Sequence, residues 1–256
     1  MSEYVNEEYV REVPNAKTAV VFIHGILSTP RFFENLVSLV PEEFTVHNVL
    51  LDGHGGTVKD FSETSMKVWK HQIKYLVNRL SKTHENIILV GHSMGTLFSI
   101  ENAVRLPKNV KALFLLCSPL KVRIHPRSTK YSLRIIFEKT EGADEIESTA
   151  RKWYSIKPDK KLWKYILWVP NFASLLTEIR KVRKITSNVC VPTMAFHAAN
   201  DSLVSKKAIK PMLKNENISV TVLNTSYHQH FSEEDYKTIC DSFSTLMNNL
   251  IKNNAD

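Results

Sequence analysis

Residues 86–104 read Asn86-Ile87-Ile88-Leu89-Val90-Gly91-His92-Ser93-Met94-Gly95-Thr96-Leu97-Phe98-Ser99-Ile100-Glu101-Asn102-Ala103-Val104. An apolar run stops at Gly91-His92-Ser93-Met94-Gly95, and a pattern with helical spacing follows. The reading is strand, tight turn, helix, with a serine at the apex. A serine hydroxyl is ordinarily a poor nucleophile. A sharp turn lifts it clear of the backbone and sets it at a helix N-terminus, where an anion is favoured. Side chains at the two flanking glycines would clash across so tight a turn. A bare G-x-S-x-G arises by chance in Gly/Ser loops, so the strand before it and the helix after it carry the inference.

Outward from this turn, strands and helices alternate. Thr18–Ile23 is continuously apolar, as for a strand buried on both faces. Residues 30–40 read as a helix with Pro30 in the first turn, and residues 45–51 as a strand stopped by Asp52-Gly53-His54-Gly55-Gly56. Met66, Trp69, Ile73, Leu76, Val77 and Leu80 share one helical stripe, and a further strand is expected at residues 111–117. Beyond residue 119 the pattern turns helical, basic and aromatic. Strands return at residues 192–197 and 218–223, before an amphipathic helix carrying Tyr236, Ile239, Phe243, Leu246 and Leu250. The order implies an α/β protein with a mostly parallel sheet and helices on both faces. Residues 1–118 and 191–256 form its core, and residues 119–190 an inserted helical cap.

Charge marks the same boundary. The 256-residue chain carries a formal charge of +8, yet residues 119–190 hold 16 Lys and Arg against 7 Asp and Glu. The insertion therefore accounts for the whole excess. Such a surface suits an anionic membrane or an acidic carrier protein, but a basic surface alone is no nucleic-acid recognition motif, and no nucleic-acid partner is expected. The apolar runs are too short to span a bilayer. The stretch Met1-Ser2-Glu3-Tyr4-Val5-Asn6-Glu7-Glu8 is acidic and polar, unlike a secretory signal. Cys117, Cys190 and Cys240 are odd in number, lack C-x-x-C spacing and lie in apolar patterns expected to bury them. They suit a reducing cytoplasm rather than a disulfide framework or a zinc site.

A serine nucleophile needs a base, and the base an orienting acid. In a parallel sheet, groups just past the C-terminal strand ends converge on one edge. Asp201 follows the 192–197 strand and His228 follows the 218–223 strand. The order Ser93, Asp201, His228 suits such a set. Asp235 and Asp241 are rivals for the acid, but are expected a turn or more into the last helix. His230 is the rival for the base.

The chain resembles the α/β-hydrolases of the carboxylesterase and monoacylglycerol-lipase type over nearly its whole length. The resemblance rests on His24-Gly25-Ile26, Gly53-His54-Gly55, Gly91-His92-Ser93-Met94-Gly95, Asn200-Asp201, and Ser226-Tyr227-His228 with Glu233 five residues on. It implies Ser93 as nucleophile, Asp201 as acid and His228 rather than His230 as base, from the Ser226-x-His228 spacing. The backbone amide of Met94, next after the serine, is an expected oxyanion donor, and the resemblance implies Ile26 as the other. Thr96 departs from the family, where a second glycine is frequent, and a short start implies a reduced or missing leading hairpin. His24 and His54 are expected to brace loops and His92 to pack away from the serine. The implied activity is hydrolysis of small to medium carboxylic esters, including monoacylglycerols, through an acyl-enzyme without cofactor or metal. The cap serves as a lid with an apolar underside. A thioesterase or acyltransferase would use the same residues, and a non-catalytic receptor the same scaffold.

Overall fold

The computed structural model describes residues 6–123 and 125–255. Residues 1–5 of the acidic start, Ile124 within the 119–190 segment and Asp256 lie outside the described residues. In chain order the elements are β1 (Tyr9–Arg11), β2 (Thr18–Ile23), α1 (Glu34–Val37), β3 (Thr45–Val49), α2 (Val58–Glu63), α3 (Met66–Leu80), β4 (Asn86–His92), α4 (Met94–Arg105), β5 (Val110–Leu116), α5 (Pro126–Ile136), α6 (Glu145–Lys152), α7 (Val169–Ile185), β6 (Thr193–Ala198), β7 (Ile218–Leu223) and α8 (Glu233–Ala255). The seven strands form one sheet in the order β1-β3-β2-β4-β5-β6-β7. Every pairing is parallel except that of β1 with β3. This is the α/β class that the alternation implied.

Period-two alternation divides the sheet's side chains between two cores. Val21, Ile23, Leu89 and Leu115 face one way, onto Trp69 and Ile73 of α3 and Leu97 and Ile100 of α4. Val20, Phe22, Val90 and Phe114 face the other way, onto Phe33, Leu36 of α1 and Ile239, Phe243 and Met247 of α8. β2 is buried along its full length, which is why its sequence reads as an unbroken apolar run.

Three local readings need correction. Residues 30–40 do not form one helix: a 3₁₀ turn at Pro30–Phe33 leads into the single turn of α1. The 45–51 strand ends at Val49. Cys190 is exposed and Cys240 half-buried, so of the three free thiols only Cys117 is fully buried. Cys190 falls in the link before β6, facing out between the buried Val189 and Val191. Among the described residues, one strand precedes β2: β1, three residues on the sheet edge.

Between β5 and β6 the chain runs through α5, α6, a 3₁₀ stretch at Leu162–Trp168 and α7. The α5–α6 pair is fastened by Glu147, 2% exposed, whose carboxylate meets Arg134 Nε at 2.7 Å and Arg151 Nη2 at 3.0 Å. α7 ties the segment to the main body. Its Ile179 and Val182 join the α3–α4 core, and Trp168 Nε1 and Asn171 Nδ2 donate to the Val58 and Phe61 carbonyls of α2 at 3.0 Å each.

Candidate active site

Ser93 lies between the end of β4 and the start of α4, with φ 50° and ψ −120°. A non-glycine residue in that region costs on the order of 1–3 kcal/mol, and the surroundings must enforce it. They do so by close approach. A Cβ on Gly95 would lie 1.9 Å from the Ile23 carbonyl oxygen, and one on Gly91 2.7 Å from Thr96 Cα. The Ser93 amide donates to Leu116 O at 2.9 Å, while Thr96 donates its amide (3.0 Å) and its hydroxyl (2.7 Å) to Ser93 O. The Thr96 hydroxyl thus adds a bond from inside the helix that a glycine there could not make.

The other two predicted residues sit on loops that are bonded to each other. Past β6, Ala199 N donates to Leu223 O at 2.8 Å and Asn200 N to Ser226 O at 3.1 Å. Asp201 Oδ1 accepts the Leu203 and Val204 amides at 2.7 Å each, and Oδ2 accepts from His228 Nδ1 at 2.6 Å. His228 Nε2 then lies 2.9 Å from Ser93 Oγ. Ser93, His228 and Asp201 are therefore one hydrogen-bonded line, all but closed to solvent. Burial alone would raise the Asp201 carboxyl; the neighbouring His228 charge, its hydrogen bond and the two amides outweigh burial and hold it below the ordinary carboxylate value. His230 is not part of the line. Its Nδ1 is 3.1 Å from Thr149 Oγ1 on α6.

The 24–27 loop lies against the serine: a Cβ on Gly25 would be 2.9 Å from Ser93 Cβ. Two histidines hold this loop, as expected. His54 Nε2 accepts the Leu27 amide and His24 Nε2 the Leu51 amide, both at 3.1 Å. Accepting at Nε2 fixes the neutral tautomer of each ring. Burial pushes His24 well below its ordinary value and His54 down to about 4, so both stay neutral acceptors near neutral pH. Leu27, at φ 59°, turns the chain back over the site. The amides of Ile26 and Met94 have no hydrogen-bond partner among the described residues, which leaves two donors free beside Ser93.

Sequence reasoning missed two supports. Asp235 was expected a turn or more into the last helix, but it is in the first turn of α8. Its Oδ2 accepts from Ser226 Oγ at 2.7 Å and from the Thr225 amide at 3.0 Å, which fixes the His228 loop from below. The signal was present in Ser232-Glu233-Glu234-Asp235, a helix-start pattern whose Ser232 Oγ accepts the Asp235 amide at 3.3 Å. His92 stacks on Phe32 at 4.0 Å between centroids, and its Nε2 donates to the His228 carbonyl at 2.9 Å. It packs away from the serine hydroxyl, as expected, and also holds the imidazole's own backbone. Burial and the adjacent His228 push His92 down to about 3.

The donor atoms of His92, Cys117 and His228 lie within 4.8 Å of one another. They do not suit a metal ion. Both His228 nitrogens are engaged, and burial together with the Asp201 charge pushes the Cys117 thiol well up, away from the thiolate that ligates.

Beside His228 opens an apolar cavity of about 370 Å³, lined by Ile26, Leu27, Ile135, Tyr154 and Phe172 among others. Its walls thus come from the 24–27 loop, from α5, α6 and α7, and from the His228 loop.

Sequence and structural comparison agree with this architecture. The family model described as serine aminopeptidase, S33, matches residues 14–235, and the chain belongs to that family. It is an α/β-hydrolase of the esterase/lipase type. A Mycoplasma genitalium protein that bears the name esterase/lipase 3 is 24% identical over 248 residues, covering 91% of this chain and 88% of that protein. Two solved structures share the fold. One belongs to work on the metagenome-derived lipolytic enzymes LipS and LipT, with TM-score 0.72, 17% identity and coverage of 95% of this chain and 98% of the other. The second is a monoacylglycerol lipase from Paleococcus ferrophilus, with TM-score 0.62, 16% identity and coverage of 93% and 98%. Among the described residues, no helix is long and apolar enough to cross a membrane.

Proposed function

We propose that this chain is a serine carboxylic ester hydrolase that works through an acyl-enzyme. The observation that carries the reading is the line Ser93 Oγ, His228 Nε2, His228 Nδ1, Asp201 Oδ2, at 2.9 and 2.6 Å. Ser93 Oγ attacks the ester carbonyl carbon as His228 Nε2 takes its proton, and Asp201 holds the imidazole and stabilises its charge. The carbonyl oxygen becomes an oxyanion facing the Ile26 and Met94 amides. Loss of one such donor typically removes roughly 3 kcal/mol of transition-state stabilisation. His228 returns the proton to the departing alcohol. Water, activated by the same imidazole, then releases the acid and restores Ser93.

The apolar cavity supports acyl chains of small to medium length, monoacylglycerols included. Residues 119–190 act as the lid, with α5 and α6 as roof and α7 as anchor. The lid also supports weak contact with an anionic membrane surface. Trp163, Ile166, Leu167 and Val169 are 59–67% exposed beside the exposed Lys160 and Lys161. The three free cysteines support a cytoplasmic setting.

p-Nitrophenyl esters of graded chain length test the activity, and a fluorophosphonate probe tests the nucleophile. Turnover that peaks at short to medium chains, with labelling abolished in folded Ser93→Ala, is the expected result. No hydrolysis at any length, or labelling that persists without Ser93, would overturn the reading.

A further inference from the structure

A second cavity, about 450 Å³, adjoins the apolar one. Tyr131, Ile146, Ser202 and Tyr227 line both, so the two spaces meet at these side chains. Their characters differ. The second cleft presents Arg123, Arg127, Lys206 and Lys207, and its one lining carboxylate is Asp201, whose oxygens are taken by His228 and two backbone amides. Arg127 is paired with Asp144 at 3.0 Å and lies over the Tyr131 and Tyr227 rings at 5.4 and 5.9 Å, so its charge is already engaged. Arg123, Lys206 and Lys207 have no ion-pair or hydrogen-bond partner for their side-chain charges among the described residues.

These three cations do not hang on loose chain. Residues on both sides of the cleft are laced together: Arg123 N donates to Leu203 O at 2.8 Å, His125 N to Ser202 O at 2.9 Å and Ser205 N to Lys121 O at 2.9 Å, with Val122 and Val204 bridged antiparallel. The N-terminal turn of α5 opens on the same space through His125 and Arg127, and adds the positive end of its dipole. Three uncompensated cations on a fixed backbone, in a concave site beside an apolar cavity that reaches His228, describe a receptor for an anion attached to something apolar.

We propose that this cleft is an anion subsite of the same active site, and that the enzyme prefers esters carrying a phosphate group. The apolar part occupies the cavity by Ile26 and His228 while the phosphate lies between Arg123, Lys206 and Lys207. The inference rests on the hydrolase reading above and adds a substrate class to it.

A matched pair of esters tests it: 1-butyrylglycerol 3-phosphate against neutral 1-butyrylglycerol, with the full chain at low and at 0.5 M salt. A preference of about tenfold in kcat/KM for the phosphate ester, shrinking in high salt, is expected. In Arg123→Ala/Lys206→Ala/Lys207→Ala the preference should vanish while the neutral ester changes less than twofold; Arg123→Ala alone should show part of the loss. Equal rates on the pair, or a preference that survives the triple variant, would overturn the proposal. A long-chain arm, lysophosphatidate against monoacylglycerol, identifies the source: a phosphate preference confined to this arm points to a lipid headgroup, one confined to the butyryl pair to a soluble phosphate ester. Calorimetric titration of Ser93→Ala with inorganic phosphate reads the subsite without turnover. Phosphate binding with no ester cleavage in the wild type would keep the subsite and sink the hydrolase reading; saturable binding absent at millimolar phosphate would sink the subsite.

Discussion

At the scale of single residues, the site depends on a few atoms whose replacement has a direction. Asp201→Asn keeps the size of the side chain but removes the charge that orients His228. It should lower kcat by about four orders of magnitude while the folded spectrum is retained, which stopped-flow ester assays and circular dichroism would measure together. Gly95→Ala forces a methyl group onto a carbonyl oxygen at 1.9 Å, so the turn must open. Both activity and thermal stability should drop, in contrast to Asp201→Asn, which should lose activity alone. Much of this was legible in the chain. Gly91, Ser93 and Gly95 are legible because an apolar strand precedes them and a helical pattern follows; strand ends point to Asp201 and to the His228–His230 stretch, and the family resemblance selects His228 within it. For Asp235 the helix start at Ser232 was legible, but its bonds to Ser226 and Thr225 were not, since nothing in its own stretch names those partners.

At the scale of elements, the α5–α6 pair is held by one buried carboxylate between two guanidinium groups. Glu147→Gln leaves those cations facing each other in a site largely shielded from water, and the cost should be about 3 kcal/mol. Amide hydrogen exchange should rise over α5 and α6 and stay unchanged in β2, β4 and α4. The same comparison explains which elements sequence reasoning found. β2 and β4 carry unbroken apolar runs because both faces of the sheet are covered there, and α3 carries a one-sided stripe because it packs along one face. β1 is three residues that pair through backbone alone, with Tyr9 and Val10 exposed, so no pattern marks it. The six residues of α2 are too few to show a period, and their end of the molecule is fixed from outside by Trp168 and Asn171.

For the molecule as a whole, buried histidines set the response to acid. His24, His54 and His92 are neutral in the fold and free to take a proton at ordinary values near 6.5 once unfolded. Between 6.5 and about 4 the unfolded chain therefore binds more protons, so stability is full above 6.5 and declines as the pH falls through that window. Each histidine contributes about 1.4 kcal/mol per pH unit there, and urea midpoints at pH 7 and pH 5 would register the loss. Charge gives a second global expectation. Vesicles containing phosphatidylglycerol should bring down the protein at low salt, neutral phosphatidylcholine vesicles much less, and Trp163→Ala/Ile166→Ala should weaken the association several-fold. The backbone of Ser93 has a consequence of a different kind. Its φ of 50° suits glycine, so Ser93→Gly should melt at a higher temperature than the natural chain while hydrolysing nothing. Durability alone would favour glycine here; under the proposed mechanism the serine at that angle exchanges melting point for turnover at this one position.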